Sequence, residues 1–138
     1  MTAAERREFV LGRARTASLA TVRADGRPHV APIWFDLDGE TLVFTTGEST
    51  VKGRNMARDP RVSLCIDDGD PPFHFVLVEG TAELTPSALD LLYWSTRLGG
   101  RYMGAERADE YGRRNAVEGE LLVRVTPRKL LAYRDIAH

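Results

Sequence analysis

The sequence has few of the features that mark secreted, membrane or nucleic-acid-binding proteins. Its single cysteine, Cys65, excludes an intrachain disulfide. No apolar run approaches the ~20 residues that cross a bilayer, and the polar N-terminus lacks the apolar core of a signal peptide. Nineteen basic and twenty acidic residues leave a net charge of −1, which argues against nucleic-acid binding by bulk electrostatics. We therefore expect a cytoplasmic protein without membrane or nucleic-acid partners.

The sequence also lacks the spacing of the common metal and hydrolytic sites. None of its three histidines stands at metal-ligand spacing from another, and no serine has the context of a nucleophile elbow. Asp67, Asp68 and Asp70 lie in a Pro- and Gly-rich loop without the EF-hand pattern. We predict no metal site, and the sequence assigns no catalytic residue.

What is present is ordinary for one globular domain. The 138 residues are 43% hydrophobic and 28% charged, with no internal repeat, low-complexity tract or linker. This length predicts a single domain spanning residues 1–138, large enough for one core. Function must then share space with that core or lie at an interface between subunits.

Turn signals in the first half predict a β-meander. Asp25-Gly26 separates two strand-like runs, residues 17–22 and 28–35, which form a hairpin. A second Asp-Gly pair at Asp38 leads into residues 41–46. We expect these three strands to be hydrogen-bonded in sequence order.

In the second half, strands are expected at residues 61–67, 73–84, 120–125 and 130–133, with Pro127 breaking the last two apart. The 73–84 run is apolar on both faces, which requires cover from helices or from another subunit.

Four helices are predicted from capping signals and apolar stripes. Thr2 and Glu5 have capping-box spacing for a helix over residues 3–13. Ser49 or Thr50 caps a short helix through Arg58. Thr85-Pro86 begins a third helix that Gly99-Gly100 ends, and residues 101–115 form a more exposed helix or a partly ordered lid.

The strongest local signal lies at the start of the short basic helix. The hydroxyls of Ser49 and Thr50, the ammonium of Lys52 and the first-turn amides converge on one anion in this interpretation, because first-turn amides have no partner inside a helix. Lys52 and Asn55 are three residues apart and share a face. The alternative, a capped helix with solvated basic side chains, stays open.

A proline inside a strand indicates an edge or a bulge. Pro32 stands in the middle of residues 29–35 and cannot donate a ladder hydrogen bond. The backbone groups freed there, with Trp34 beside them, suit a planar hydrogen-bonding ring. A half-buried tryptophan on an edge strand explains the same pattern without a ligand.

Taken together, the segments resemble the split-barrel flavin and deazaflavin reductases, the superfamily that includes pyridoxamine 5′-phosphate oxidase. The matching segments are ATVRADGRPHVAPIWF (20–35), LVFTT (42–46), KGRNMARDPRV (52–62), VEGTA (78–82) and LVRVTPRK (122–129). The sequence is most similar to the branch that uses the deazaflavin coenzyme F420. Residues 131–138 lack the Trp and Arg-Leu ending with which pyridoxamine phosphate oxidases bind substrate, which argues against that activity.

The resemblance implies a mainly β (α+β) fold, an FMN-binding-type split β-barrel with short flanking helices, forming a homodimer with two cofactors at its interface. The ring is expected on residues 30–34 and the phosphate near Lys52, with Arg54 and Arg58 towards an acidic tail. Phe73 and His74 are expected to reach the partner subunit's site. The full set of implied cofactor-binding residues is Val30, Ala31, Pro32, Ile33, Trp34, Thr45, Thr46, Ser49, Thr50, Lys52, Arg54, Asn55, Phe73 and His74.

The function implied is hydride transfer from reduced F420 to a small electron-poor substrate, such as an unsaturated or quinone-like compound. An FMN-dependent oxidase or reductase of the same fold is one alternative, because one phosphate site serves either ligand. A non-catalytic protein that binds such a cofactor or a tetrapyrrole is the other.

Overall fold

The computed structural model describes residues 1–133, so most of the chain ending that sets this sequence apart from the pyridoxamine phosphate oxidases lies outside the described residues. A seven-stranded antiparallel sheet dominates the fold. Its strands are β1 (Ala17–Val22), β2 (Pro28–Ile33), β3 (Asp36–Asp38), β4 (Thr41–Gly47), β5 (Arg61–Asp67), β6 (Phe75–Thr85) and β7 (Glu120–Tyr133).

The order of the strands makes the sheet a split barrel. It runs β2-β1-β5-β6-β7-β4-β3, so the two edge strands, β2 and β3, are neighbours in sequence. Only Trp34 and Phe35 separate them, and the sheet curls until its edges approach each other. The predicted mainly β (α+β) split barrel with flanking helices is confirmed. The predicted three-stranded meander is wrong, because β4 pairs with β3 and β7 rather than with β2.

Two helices close the ends of the barrel. The first, α1 (Ala3–Leu11), begins at the predicted capping box and places Val10 in the core. The second, α2 (Val51–Arg58), is capped by Thr50 and places Met56 in the same core from the opposite end. Both predicted caps are therefore confirmed.

The third helix differs from its prediction at both ends. It begins at Ala88 after Ser87 as cap and continues through Gly99-Gly100 to Met103 (α3, Ala88–Met103). The two glycines do not end the helix, because the fourth helix, α4 (Ala108–Asn115), packs closely against them. A Cβ on Gly99 would lie 2.5 Å from Cβ of Tyr111. The exposed helix expected within residues 101–115 is thus present as α4, after a short 3-10 turn.

The closing strand is also longer than expected. β7 continues through Pro127, and the predicted break appears instead as a shift in its register with β6 between Glu79 and Gly80. A bulge accommodates the missing proline N–H without ending the strand.

The two faces of the sheet have different environments. Alternate side chains of β1, β5, β6 and β7, such as Leu19, Leu64, Val78 and Val125, fill the barrel. The opposite side of the same strands we call the outer face, which carries Ser18, Cys65, Phe75, Leu77, Leu131 and Tyr133. On this face the rings of Phe75 and Tyr133 stack at 4.7 Å. No helix among residues 1–133 is long and apolar enough to span a bilayer.

Candidate functional site

The N-terminus of α2 lies where β4 leaves the sheet, and hydrogen bonds of the Thr50 side chain stabilise it. The Thr50 hydroxyl donates to the Gly47 carbonyl at 2.8 Å and accepts from the Gly53 amide at 3.0 Å. It also lies 3.1 Å from the Thr46 hydroxyl. The Thr50 hydroxyl proton is therefore used inside the turn, and its role as a phosphate ligand stays a prediction.

Asn55 is likewise committed to the fold. It is 4% exposed, its amide nitrogen donates to the Thr21 hydroxyl at 3.0 Å, and its amide oxygen accepts from Arg58. Arg58 also donates to the Val22 carbonyl. These bonds join α2 to β1. The Asn55 side chain is thus bonded towards the barrel, and the expectation that it shares a ligand face with Lys52 stays a prediction.

The two β4 threonines do not share a site. Successive residues of a strand face opposite sides of a sheet. Thr46 is buried against Thr50, whereas Thr45 is directly opposite Leu122, on the side where α3 packs. The two side chains thus face opposite sides of β4, and their contacts with a cofactor stay a prediction.

What remains available at this end of α2 is Lys52 and the first-turn backbone. Lys52 forms no hydrogen bond or ion pair within residues 1–133, and Ser49 is exposed beside it. The amides of Val51 and Lys52 precede the first internal helix bond and point out of the turn. Burial raises the pKa of Glu120, and the positive charge of Lys52 opposes that rise. Glu120 is thus within electrostatic reach of Lys52.

A second basic surface lies along the adjacent face of α2. Val51, Arg54, Asn55 and Arg58, spaced as one helix face, line a groove of about 410 Å³ against the β1–β2 turn. The turn contributes two further arginines, Arg23 and Arg27, with Asp25 between them. We call this surface the arginine groove.

The charges of the arginine groove favour an anion. Its one acid, Asp25, is paired with Arg27 at 2.7 Å, and the hydrogen bond from the Arg27 backbone amide lowers the pKa of Asp25. The Arg54 guanidinium has no hydrogen-bond or ion-pair partner in the described part of the chain, and Nε of Arg23 is buried without one. Sequence reasoning missed Arg23 and Arg27. The sequence signal for these two arginines was their position on either side of a predicted turn. The sequence does not show that the folded hairpin places this turn against α2.

The edge strand β2 splits the residues expected beneath a ring. Pro32 does stand on an edge strand, as expected, and Val30 on the same side is 66% exposed. Ala31 and Ile33 point the other way, and the Ile33 side chain is buried in the core. The place of these two residues beneath a ring stays a prediction. Trp34 stacks on Tyr102 at 4.9 Å, with the two rings inclined by 2°. One face of its indole is therefore occupied within the chain.

Phe73 and His74 do not reach α2 within one protomer. They precede β6 at the end of the β5–β6 hairpin where Asp67 pairs with Phe75, and His74 packs edge-on against Phe9 of α1. The α2 helix leads into the opposite end of β5, roughly 20 Å away over six residues of strand. Their expected role in a partner subunit's site stays a prediction. Among the described residues, no three His, Cys, Asp or Glu side chains cluster closely enough to bind a metal.

Comparison with known families gives an extensive match. The sequence model described as pyridoxamine 5′-phosphate oxidase matches residues 2–132. A 5a,11a-dehydrotetracycline/5a,11a-dehydrooxytetracycline reductase of Streptomyces rimosus subsp. rimosus is 31% identical over 123 residues, which cover 83% of this chain and 71% of the relative.

Solved structures agree in fold over nearly the whole chain. The conserved hypothetical protein Rv2991 of Mycobacterium tuberculosis superposes with a TM-score of 0.86 at 28% identity, covering 98% of this chain and 86% of the other. A structure named F420 reductase superposes with a TM-score of 0.70 at 32% identity, covering 90% of this chain and 94% of the other.

Proposed function

Because the chain belongs to the pyridoxamine 5′-phosphate oxidase family, we propose that it is an oxidoreductase that uses the deazaflavin coenzyme F420 to reduce a small electron-poor substrate. Two relatives support the proposal: the dehydrotetracycline reductase of Streptomyces rimosus and the structure named F420 reductase. The substrate class proposed is an activated double bond or a quinone-like compound.

The arginine groove is the observation that carries the choice of cofactor. Four arginines and one paired aspartate line it, and Arg54 is unpaired within residues 1–133. The groove follows α2 from Val51 to Arg58, roughly 10 Å at the helical rise. A single phosphate, as in FMN, requires only the helix start and Lys52. The additional length and charge fit a cofactor that carries an acidic tail beyond its phosphate.

The chain's own groups would bind and orient this cofactor. The Val51 and Lys52 amides and the Lys52 ammonium would hold the phosphate, since helix N-termini favour anions. Arg54, Arg23 and Arg27 would hold the tail by charge-assisted hydrogen bonds. Val30 and Pro32 present an apolar edge for the ring. Deazaflavins supply hydride chemistry when bound, so the protein contributes position and exclusion of water. We assign the subsequent protonation of substrate to water.

The site is completed in this proposal by a second copy of the chain. The outer face carries Cys65, Leu77 and Leu131 in one cross-strand row, and all three side chains are only partly buried within one protomer. Pairing two outer faces would cover this apolar surface and bring the edge strand β2 of one protomer towards the other. The expected contribution of Phe73 and His74 to the partner's site belongs to this arrangement.

Binding and turnover on one apo preparation test the proposal. We expect F420 to bind more tightly than FMN, and reduced F420 to be oxidised by a quinone or an unsaturated lactone. Tight FMN binding with a yellow colour would instead support the FMN-dependent alternative. Tight F420 or tetrapyrrole binding without turnover across the substrate panel would support a non-catalytic binder.

A pair of variants separates the two anion sites. Lys52→Ala should weaken both cofactors, by about 1 to 3 kcal/mol if a charge-assisted phosphate contact is lost. Arg54→Ala should weaken F420 and leave FMN binding unchanged, because only F420 reaches the arginine groove. Arg113→Ala, an exposed arginine on α4, is the matched control and should change neither affinity. Equal loss of FMN and F420 in Arg54→Ala would contradict the role given to the groove.

A further inference from the structure

The end of the barrel opposite α2 contains an apolar cavity that the proposed function does not use. It encloses about 250 Å³ beneath α1, and its floor is formed by core side chains including Val10, Leu42, Ile66 and Val76. The arginine groove lies against α2 at the other end of the barrel. The cavity is therefore separate from the anion site described above.

The volume of this cavity corresponds to a small organic molecule. It exceeds the roughly 150 Å³ apolar cavity that binds benzene and falls just below the ~300 Å³ lower bound of drug-sized ligand sites. A ligand of roughly eight to twelve non-hydrogen atoms is the matching size. Water binds weakly in the floor of the cavity, since the side chains that form the floor offer no hydrogen-bonding group.

The mouth of the cavity is charged, in contrast to its floor. Arg6 and Arg7 of α1 and Glu40 of the β3–β4 turn surround it, leaving one net positive charge. Arg7 donates to the Gly39 carbonyl at 2.9 Å, which fixes α1 against the turn. Arg6 is half-buried, and its guanidinium forms no hydrogen bond or ion pair with the described residues, Glu40 included. A half-buried guanidinium without a side-chain partner can hold a carboxylate by charge-assisted hydrogen bonds.

The opening itself is made by small side chains. Ala3 and Ala4 occupy the first turn of α1 at the rim, where longer side chains would cover the entrance. The other end of α1 is held by Arg101, whose guanidinium donates to the carbonyls of Val10, Leu11 and Arg13. The helix is thus anchored at its middle by Arg7 and at its C-terminal end by Arg101, beside a preformed entrance.

We propose that this cavity binds a medium-chain aliphatic monocarboxylate, with the chain in the apolar floor and the carboxylate on Arg6. The geometry matches each part of such a molecule to one part of the site. Neutral or dianionic ligands of the same size match it less well, because the floor has no polar partner and the mouth has only one unpaired arginine.

Octanoate is the probe, with 1-octanol as its neutral analogue. We expect saturable octanoate binding by calorimetry and a rise in Tm with octanoate concentration. Arg6→Ala should weaken octanoate about tenfold while changing 1-octanol less than twofold. Glu40→Gln should tighten octanoate, because it removes a like charge from the mouth.

A blocking variant tests the location. Ala4→Phe places a ring in the entrance and should abolish binding of both probes. Ala88→Phe, at an equally exposed first-turn alanine of α3, is the matched control and should bind octanoate like the wild type. Absence of octanoate binding by the wild type, or unchanged binding by Ala4→Phe in a folded protein, would overturn the proposal. F420 binding by the same variants is expected to be unaffected, so failure here leaves the proposed function intact.

Discussion

Lys52 and Asn55 stand three residues apart on α2, but their side chains lie in different environments. Asn55 is buried and bonded to Thr21, whereas Lys52 has no hydrogen-bond partner in the described chain. Sequence spacing alone placed them on one ligand face. Whether an asparagine amide points to ligand or to its own barrel depends on the partner across the fold, here a threonine 34 residues away, which spacing along a helix does not reveal.

This difference gives a stability prediction. Asn55→Ala leaves the buried Thr21 hydroxyl without its partner and should lower the free energy of unfolding by about 1 to 3 kcal/mol. Lys52→Ala removes no internal bond and should change it by less than about 0.5 kcal/mol. Urea unfolding of the two cofactor-free variants measures both. A stable Asn55→Ala protein that loses only cofactor affinity would restore Asn55 to the ligand site.

Glu120 gives a prediction about pH. Burial raises its pKa above the ordinary value of 4.5, so the folded state holds the proton more tightly than the unfolded state does. The resulting stabilisation is fully present below about pH 4.5 and is lost as pH rises through the folded-state pKa. Relative to the wild type, Glu120→Gln should therefore have an equal Tm at pH 4 and a higher Tm at pH 7.

Calorimetric scans of both proteins across this range provide the measurement, since other titrating groups cancel in the difference. A Glu120→Gln variant that is less stable at pH 7 would show that attraction to Lys52 outweighs burial. The same substitution should also tighten phosphate-bearing cofactors at pH 7, because it removes a negative charge beside Lys52.

At the scale of elements, the strands with clear alternation were predictable and the long-range pairings were not. β1 and β5 occupy the expected residues because apolar side chains alternate along both and turn residues bound them. The prediction of a meander was wrong because the chain bends at Trp34 and Phe35, so that β4 joins the opposite edge of the sheet from β2. Turn signals specify that a chain reverses, but they do not specify which strand it joins.

The third helix shows a second limit of local signals. Gly99 and Gly100 suggest a helix end, yet α3 passes through both and uses the space above them for α4. Glycine inside a helix disfavours it locally, and here close packing between two helices compensates. A single sequence does not distinguish a glycine that ends a helix from a glycine against which a neighbouring helix packs.

The two glycines provide a matched pair of variants. Gly99→Ala places a methyl group 2.5 Å from Cβ of Tyr111, so α4 must move, and we expect a loss of about 1 to 3 kcal/mol in unfolding free energy. Gly100→Ala places its methyl group 3.4 Å from Cβ of Ala108, an ordinary contact. That variant should gain up to about 0.5 to 1 kcal/mol from helix propensity. Urea unfolding at equal protein concentration compares them, and equal effects would contradict the close packing of α3 and α4.

At the scale of the whole molecule, two apolar surfaces compete as the site of self-association. One is the outer face around Leu77, and the other is the exposed side of α3, where Leu89, Leu92 and Tyr93 lie. The apolar pattern of β6 indicated that this strand needs cover on both faces, from helices or from another subunit. The sequence could not show which surface the partner covers, because both read as apolar stripes along their elements.

Charge substitutions on the two surfaces discriminate between them. Leu77→Lys places a cation in the middle of the proposed interface, where pairing would bury it without a counter-charge, so we expect a monomer at micromolar concentration. Leu89→Lys makes the same change on α3, where the wild-type side chain is already 82% exposed, and should leave the dimer intact. Sedimentation velocity over a concentration series measures both. The proposed ring site needs both subunits, so Leu77→Lys should lose F420 binding together with dimerisation. If only Leu89→Lys dissociates the protein, the interface lies on α3 instead.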